Sequence, residues 1–495
     1  MMIMDETNEQ DLVKKVKAFV GLSNEILSDR EESVVREFLT QAEDTVSSLN
    51  ADILKIRSIL QVLEERCAAE VEWKTRLQVG VSPQKKVPSE VLSLIFKSCV
   101  DYRYVKLNIP PPPNSRCLAL SQVCSRWREV VLAEPSLWND LSIKNPDNVH
   151  PDTLVEIFSR AGPAMSLQLN KRPIPLAVLD VIHQYSYQLQ SLELKLNFNR
   201  PVEFFDFPFR NLENLKRLTL GIMGNPTPAL LSPVFSSMES ASNLQEFKIQ
   251  SDSGVARLDI GDSLASNFPN QKLLRLEISC GVSVAGFLHI LAQCTRLVYC
   301  NATINDEDQD VVLAGLRMDP LTMTNLRSLV VFSYDENVNN VLYLLRTPSL
   351  RELRMPTSCV TLSLLLCFIQ LSECHLEILD VPVSSASPSE TEQLMRAIPQ
   401  IISWTRFGCV INDKLLDSVG RGELLSNVEA FECCASSCKA VRKLIENRCE
   451  PHCDDSKGII KDLLVWVKRE DITDEWRELQ ALLPKGGGVQ IQTYR

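Results

Sequence analysis

The chain has 495 residues, 45% hydrophobic and 23% charged, which is too long for one small core and balanced for a folded, water-soluble protein. Its formal net charge of −11 argues against a general binder of phosphate backbones. No stretch reaches the roughly 18 consecutive apolar residues of a membrane span, and MMIMDETNEQDLVKK at the N-terminus lacks the basic region and apolar run of a secretory signal. The sixteen cysteines are therefore expected as reduced thiols packed as small hydrophobes. Cytoplasmic residence is the expectation, with nuclear residence as the second reading.

Residues 1–33 carry a weak pattern and are expected as a flexible or short-helical lead. Residues 34–77 contain neither Pro nor Gly. Apolar side chains recur there in alternating steps of three and four. Leu39, Val46, Ile53, Leu60 and Cys67 form one seam position, and Val35, Ala42, Leu49, Ile56 and Leu63 form the other. This spacing predicts a long coiled-coil helix over 34–79. Its seam is open to two readings. Either it self-associates with another copy, or it folds back on the body of its own chain. Gly80 and Pro83 end it.

Pro88 stands where a helix can begin, since the first turn needs no amide donor from it. Val91, Leu92, Leu94, Ile95 and Phe96 follow as a short amphipathic helix. Pro110–Pro113 are read as an extended surface loop. Leu118, Leu120, Val123, Cys124, Trp127, Val130 and Val131 then recur at helical spacing until Pro135, and Leu137 and Trp138 pack after that turn. A unit of this size has little core of its own. It is expected to lean on a neighbour or to be completed by a partner.

From about residue 160 a phrase Leu-x-x-Leu-x-Leu recurs. It reads Leu189-Leu192-Leu194, Leu215-Leu218-Leu220, Leu244-Phe247-Ile249, Leu273-Leu276-Ile278, Leu326-Leu329-Val331, Leu350-Leu353-Met355 and Leu376-Leu379-Val381. A weaker copy starts at Leu297, and another reads Val428-Phe431-Cys433. The gap before that last copy is double length, so a degenerate copy is expected near Ile402. The spacings match leucine-rich repeats of 20–29 residues. Each phrase is a short strand with alternate side chains pointing inward, and the stack of strands buries what one repeat cannot. Outer helices are expected around Leu288–Leu291, Leu342–Leu345 and Leu362–Ile369. The strand positions between the inward leucines should face solvent on a concave binding surface. Among them Arg327, Arg351 and Arg354 are the candidate substrate-binding residues.

Catalytic chemistry has little to draw on. Only five histidines are present, and no phosphate-binding loop, dinucleotide fingerprint or nucleophile elbow occurs. Cys433, Cys434, Cys438, Cys449, His452 and Cys453 form the best metal-like run, yet they lack a paired Cys-x-x-Cys framework. The chain is read as non-catalytic, with no cofactor and no metal, and as binding neither nucleic acid nor membrane. A solenoid enzyme or zinc protein remains as the weaker alternative.

Residues 86–138 resemble an F-box. The opening is Val87-Pro88-Ser89-Glu90-Val91-Leu92-Ser93-Leu94-Ile95-Phe96. The middle is Leu120-Ser121-Gln122-Val123-Cys124-Ser125-Arg126-Trp127-Arg128, and the close is Pro135-Ser136-Leu137-Trp138. The departures from the family pattern are Val87 for the usual Leu, Ser125 at a commonly basic position, and a longer proline loop. The whole layout resembles the large F-box family of mushroom-forming fungi. That resemblance implies docking on the Skp-type adaptor of a cullin–RING ubiquitin ligase, with the repeat array holding a protein substrate. It implies adaptor contacts at Val87, Pro88, Leu92, Ile95 and Phe96. Val123, Trp127, Val130 and Val131 are expected to divide between that interface and the internal core. An interaction scaffold outside any cullin complex is the rival reading. The expected architecture is α/β. It comprises the coiled-coil helix, an all-helical F-box over 86–140, a leucine-rich-repeat solenoid over 150–483 and a flexible tail over 484–495.

Overall fold

The computed structural model describes residues 11, 13–16, 18, 26–81, 83–99, 107–109, 116–169, 174–197, 211–224, 240–251, 272–305, 319–333, 338–357, 360–383, 386–406, 408–449, 459–483 and 488–494. The chain divides into two compact units, Met1–Val91 and Leu92–Arg495.

The first unit is dominated by one helix, α1 (Asp29–Gly80), of 52 residues, about 78 Å long at 1.5 Å per residue. Asp29, Glu31 and Glu32 occupy its first turn, where negative charge suits the helix dipole. The Glu31 carboxylate accepts from the Ser28 amide at 2.9 Å and from the Ser28 hydroxyl at 2.8 Å. These bonds, the backbone one first, hold Glu31 at about 2, well below the ordinary carboxylate range. Residues 13–16 are helical, with Val16 buried and Lys15 3.1 Å from Glu31. No residue of α1 is buried.

The second unit is built on parallel strands laid down in chain order. They are β1 (Leu107–Ile109), β2 (Asp140–Ile143), β3 (Met165–Leu169), β4 (Leu189–Asn197), β5 (Arg217–Met223), β6 (Glu246–Ser251), β7 (Arg275–Val282) and β8 (Tyr299–Ile304). After a short strand β9 (Leu321–Thr322) come β10 (Ser328–Ser333), β11 (Leu345–Arg346), β12 (Glu352–Arg354), β13 (Ile378–Asp380), β14 (Ser403–Thr405), β15 (Ala430–Cys434), β16 (Asp462–Lys468) and β17 (Val489–Tyr494). Fifteen of them form one sheet, while β9 and β11 pair separately. Within this sheet each strand lies beside the preceding and following ones, as stacked repeats require.

The phrase leucines are the core. Leu218, Leu220, Leu329, Val331, Leu353 and Leu379 are all buried. The expected degenerate copy exists as β14, where Trp404, fully buried, stands in register with Leu379 and Phe431. The expected outer helices are Val284–Gln293, Val338–Leu344 and Leu362–Ser372. Leu345, expected in the second of these, lies in β11 instead.

Two boundaries differ from the sequence reading. The sheet begins before residue 150, because β1 and β2 pair over Leu107↔Leu141 to Ile109↔Ile143. Thus the first strand lies between the two halves of the F-box-like segment. The expected tail is corrected at its end, since Val489–Tyr494 pairs with β16 as an edge strand. Gly488 fits this edge because an added Cβ would lie 1.7 Å from the Lys461 carbonyl oxygen. Pro110–Pro113, His452, Cys453 and Gly486–Gly487 lie outside the described residues.

Candidate functional site

Three short helices carry the F-box-like segment: α2 (Ser89–Cys99), α3 (Arg116–Val123) and α4 (Ser125–Ala133). Leu92 and Phe96 are four apart on α2 and share one face. Both are buried, as are Val130 and Val131 of α4 and Leu137 and Trp138 beyond it. The Phe96 and Trp127 rings lie 4.9 Å apart, tilted at 58°, an arrangement favoured by the ring quadrupoles. Cys124 caps α4, its sulfur accepting from the Trp127 amide at 3.5 Å. The Trp138 indole donates to the Val131 carbonyl at 2.9 Å, which fits the reading of Trp138 as a residue that closes the core.

This packing sorts the nine residues proposed as adaptor contacts. Leu92, Phe96, Val130 and Val131 are interior, so they support the surface from beneath. Val87 and Trp127 are half-buried, and Pro88 is exposed. Ile95 is 44% exposed and Val123 58%. Two residues absent from the proposed set join Ile95 on the outer stripe of α2: Val91 at 43% and Leu94 at 60% exposed. Their three-residue spacing was visible in the sequence. What was missing was knowledge of which stripe the small core would claim.

Glu134 was also missed. It ends α4 and accepts hydrogen bonds from the Ser93 hydroxyl of α2 and the Ser136 hydroxyl (2.7 Å), with Lys97 Nζ at 2.9 Å. Burial pushes its pKa up, but the bonds from Ser93, Ser136 and Lys97 outweigh that and hold it at about 2. A carboxylate depressed below its unfolded value stabilises the fold above about pH 4.5, and the stabilisation is lost as pH falls from there toward 2. Glu134→Gln should therefore cost roughly 1–2 kcal/mol at pH 7, as lost charge-assisted hydrogen bonds do. It should also flatten the decline in melting temperature between pH 5 and 3, measured calorimetrically. An unchanged slope would remove Glu134 from this account.

The open strand face is a second candidate surface. Its side chains pair extensively with one another. Glu277 lies 2.9 Å from Lys248 and 2.6 Å from Arg275, whose guanidinium sits 4.0 Å from the Tyr299 ring centroid. Glu277 is held below its ordinary range: burial pushes it up, and Lys248 and Arg275 more than offset that. Farther along, the Ser328 hydroxyl donates to Glu352 at 2.6 Å, and Arg406 lies 3.3 Å from Asp380. The Arg406 amide and the Trp466 indole donate to Glu432 at 3.0 and 2.6 Å.

The three arginines proposed for substrate do not form one row. Arg354 lies in β12 in register with Val330 and Asp380, and it pairs with Glu352 at 2.5 Å. Arg327 and Arg351 stand immediately before β10 and β12, where the Arg351 amide donates to the Arg327 carbonyl at 2.9 Å and the Arg351 guanidinium pairs with Glu377 at 2.7 Å. All three retain exposure.

Three thiols of the cysteine run are disfavoured as thiolates. Cys433, Cys434 and Cys438 are buried. Burial pushes all three thiols up, Cys434 to about 11, opposite to the direction that metal ligation favours. Among the described residues, no group of three or more His, Cys, Asp or Glu side chains could hold a metal ion.

Residues 85–144 match the F-box-like family model. With that match, the architecture is α/β: a long N-terminal helix, a small helical F-box-like region and a repeated β–α array of leucine-rich type. No curated protein sequence matches the chain. A solved structure described as "Crystal structure of Rad7 and Elc1 complex in yeast" is similar at 12% identity and a TM-score of 0.32, over 85% of this chain and 97% of that one. A likeness that weak bears on neither fold nor partner.

Proposed function

We propose that this protein is the substrate-receptor subunit of a cullin–RING ubiquitin ligase. Its F-box-like domain docks on a Skp-type adaptor, and its strand face holds a protein substrate. The observation that carries this reading is the outer stripe of α2, where Val91, Leu94 and Ile95 are exposed within the segment that matches the F-box-like model. Branched apolar side chains concentrated on so small a domain suit the core of a protein interface. In this reading the chain performs no bond chemistry. It supplies proximity, holding a substrate where other subunits transfer ubiquitin. The work would be done in the cytoplasm or nucleus, and the order of helix, F-box and array is the ground for setting it beside the F-box proteins of mushroom-forming fungi.

Co-expression with a Skp-type adaptor tests the first half. The two should co-purify as a stoichiometric complex through ion exchange and gel filtration. Failure to do so would favour a scaffold outside the ligase. Charge reversal at Arg327, Arg351 and Arg354 tests the second half. Substrates captured by proximity labelling should fall several-fold while adaptor binding is retained. Equal loss of both would sink the assignment of these arginines.

A further inference from the structure

We propose that α1 is the interface of a parallel, in-register homodimer. Every residue from Leu39 to Gly80 is exposed. On an amphipathic helix this leaves a continuous apolar seam facing water, with Leu39, Val46, Leu49, Ile53, Ile56, Leu60 and Leu63 each between 45% and 64% exposed. Soluble chains rarely leave so long an apolar stripe uncovered.

The occupant is indicated by the seam itself. Its period of seven is maintained from Leu39 to Cys67 without a break, and a second copy of the same helix carries the same period. Ala42 is small, and with Leu39, Glu43 and Val46 it occupies the four neighbouring positions that ring a hole for a knob from a facing helix. Charge then selects the direction. In a parallel pair, the residues flanking the seam meet five apart across it. Asp52 meets Arg57 of the second copy, and the symmetry repeats that attraction. The other such pairs, Thr45 with Asn50, Ile59 with Glu64 and Arg66 with Val71, contain no like charges. An antiparallel pair centred on the same seam would set Glu43 near Glu64 of the second copy, which is repulsive.

The test uses the full-length chain. Sedimentation equilibrium at loadings of about 1–50 µM should give twice the chain mass of 55.8 kDa. Leu49→Lys with Ile56→Lys should give the single-chain mass with an unchanged melting profile for the repeat array, since neither residue is buried. Asp52→Arg alone should weaken the dimer about three- to tenfold, and adding Arg57→Asp should restore it, as surface ion pairs of modest strength predict. Direction is read separately. Cys67 is exposed and sits on the seam, so a short bismaleimide should join Cys67 to Cys67 of the second copy, and Cys67→Ser should abolish that product. A single-chain mass across the range, a higher oligomer, or failure of Cys67 to cross-link in a dimeric sample would each overturn the proposal.

Discussion

Leu94→Asp combined with Ile95→Asp should weaken adaptor binding at least about a hundredfold, with the melting temperature of the chain nearly unchanged. Both residues lie on the solvent side of α2, at 60% and 44% exposure. A carboxylate there costs the free chain little, because exposed substitutions seldom move stability by more than about 0.5 kcal/mol. In a bound interface the same carboxylate would be desolvated without a partner. Central apolar anchors commonly carry about 2 kcal/mol or more each, and two of them give the stated loss. The paired control is Phe96→Ala. Phe96 is fully buried against Trp127, so its truncation should cost roughly 3–5 kcal/mol of stability and reduce binding only through loss of fold. The two variants thus separate contact from support. Surface plasmon resonance against the adaptor, read beside circular dichroism melts, checks both. Retained affinity in the double aspartate variant would place the interface elsewhere.

Arg448→Ala should destabilise the C-terminal repeats by about 3 kcal/mol, the scale for breaking a buried charged hydrogen-bond network. Arg448 ends the helix Cys438–Arg448 and is fully buried. Its guanidinium donates to the carbonyls of Val419 at 2.9 Å, Leu425 at 3.4 Å, Ser426 at 3.1 Å and Val428 at 3.5 Å. Val419 lies in the last turn of the helix Asp413–Gly420, where the terminal carbonyls carry partial negative charge. Leu425 has a φ of 50°, an uncommon conformation for a branched residue that surrounding contacts must hold in place. A planar fork with five donors can satisfy several carbonyls at once. Arg448→Lys should recover less than half of the loss, since a compact ammonium has only three donors. Hydrogen exchange over 413–428 should accelerate first, because repeat arrays open locally. A loss below about 0.5 kcal/mol in urea titrations would contradict this role.

The array was legible wherever leucine kept its place. Leu218, Leu220, Leu353 and Leu379 announced their strands by spacing alone. Strands became illegible where a different apolar shape filled the same position. Trp138, Leu141 and Ile143 repeat the phrase at β2, and Ile460, Leu463 and Val465 repeat it at β16, all of them buried. Packing accepts Trp or Ile there, whereas a leucine count does not. β1 is three residues long and β17 is an edge strand with Ile491 as its buried apolar residue, so periodicity had little to work with at either. At the candidate site, the motif located the F-box-like segment correctly. It did not divide core from surface, because Leu92 and Leu94 look alike until the partner helix takes one of them. For the arginines, spacing fixed positions along the repeats but not their pairing: Arg351 and Arg354 engage Glu377 and Glu352, neighbours that a leucine phrase does not reveal.

The claim that this segment is a docking plug is tested most directly by titrating purified full-length chain with a purified Skp-type adaptor in a calorimeter. The account predicts saturable heat at one adaptor per chain, with a dissociation constant below about 1 µM, as expected of a specific, well-packed interface. No saturable heat at tens of micromolar, from a chain that melts cooperatively, would contradict it.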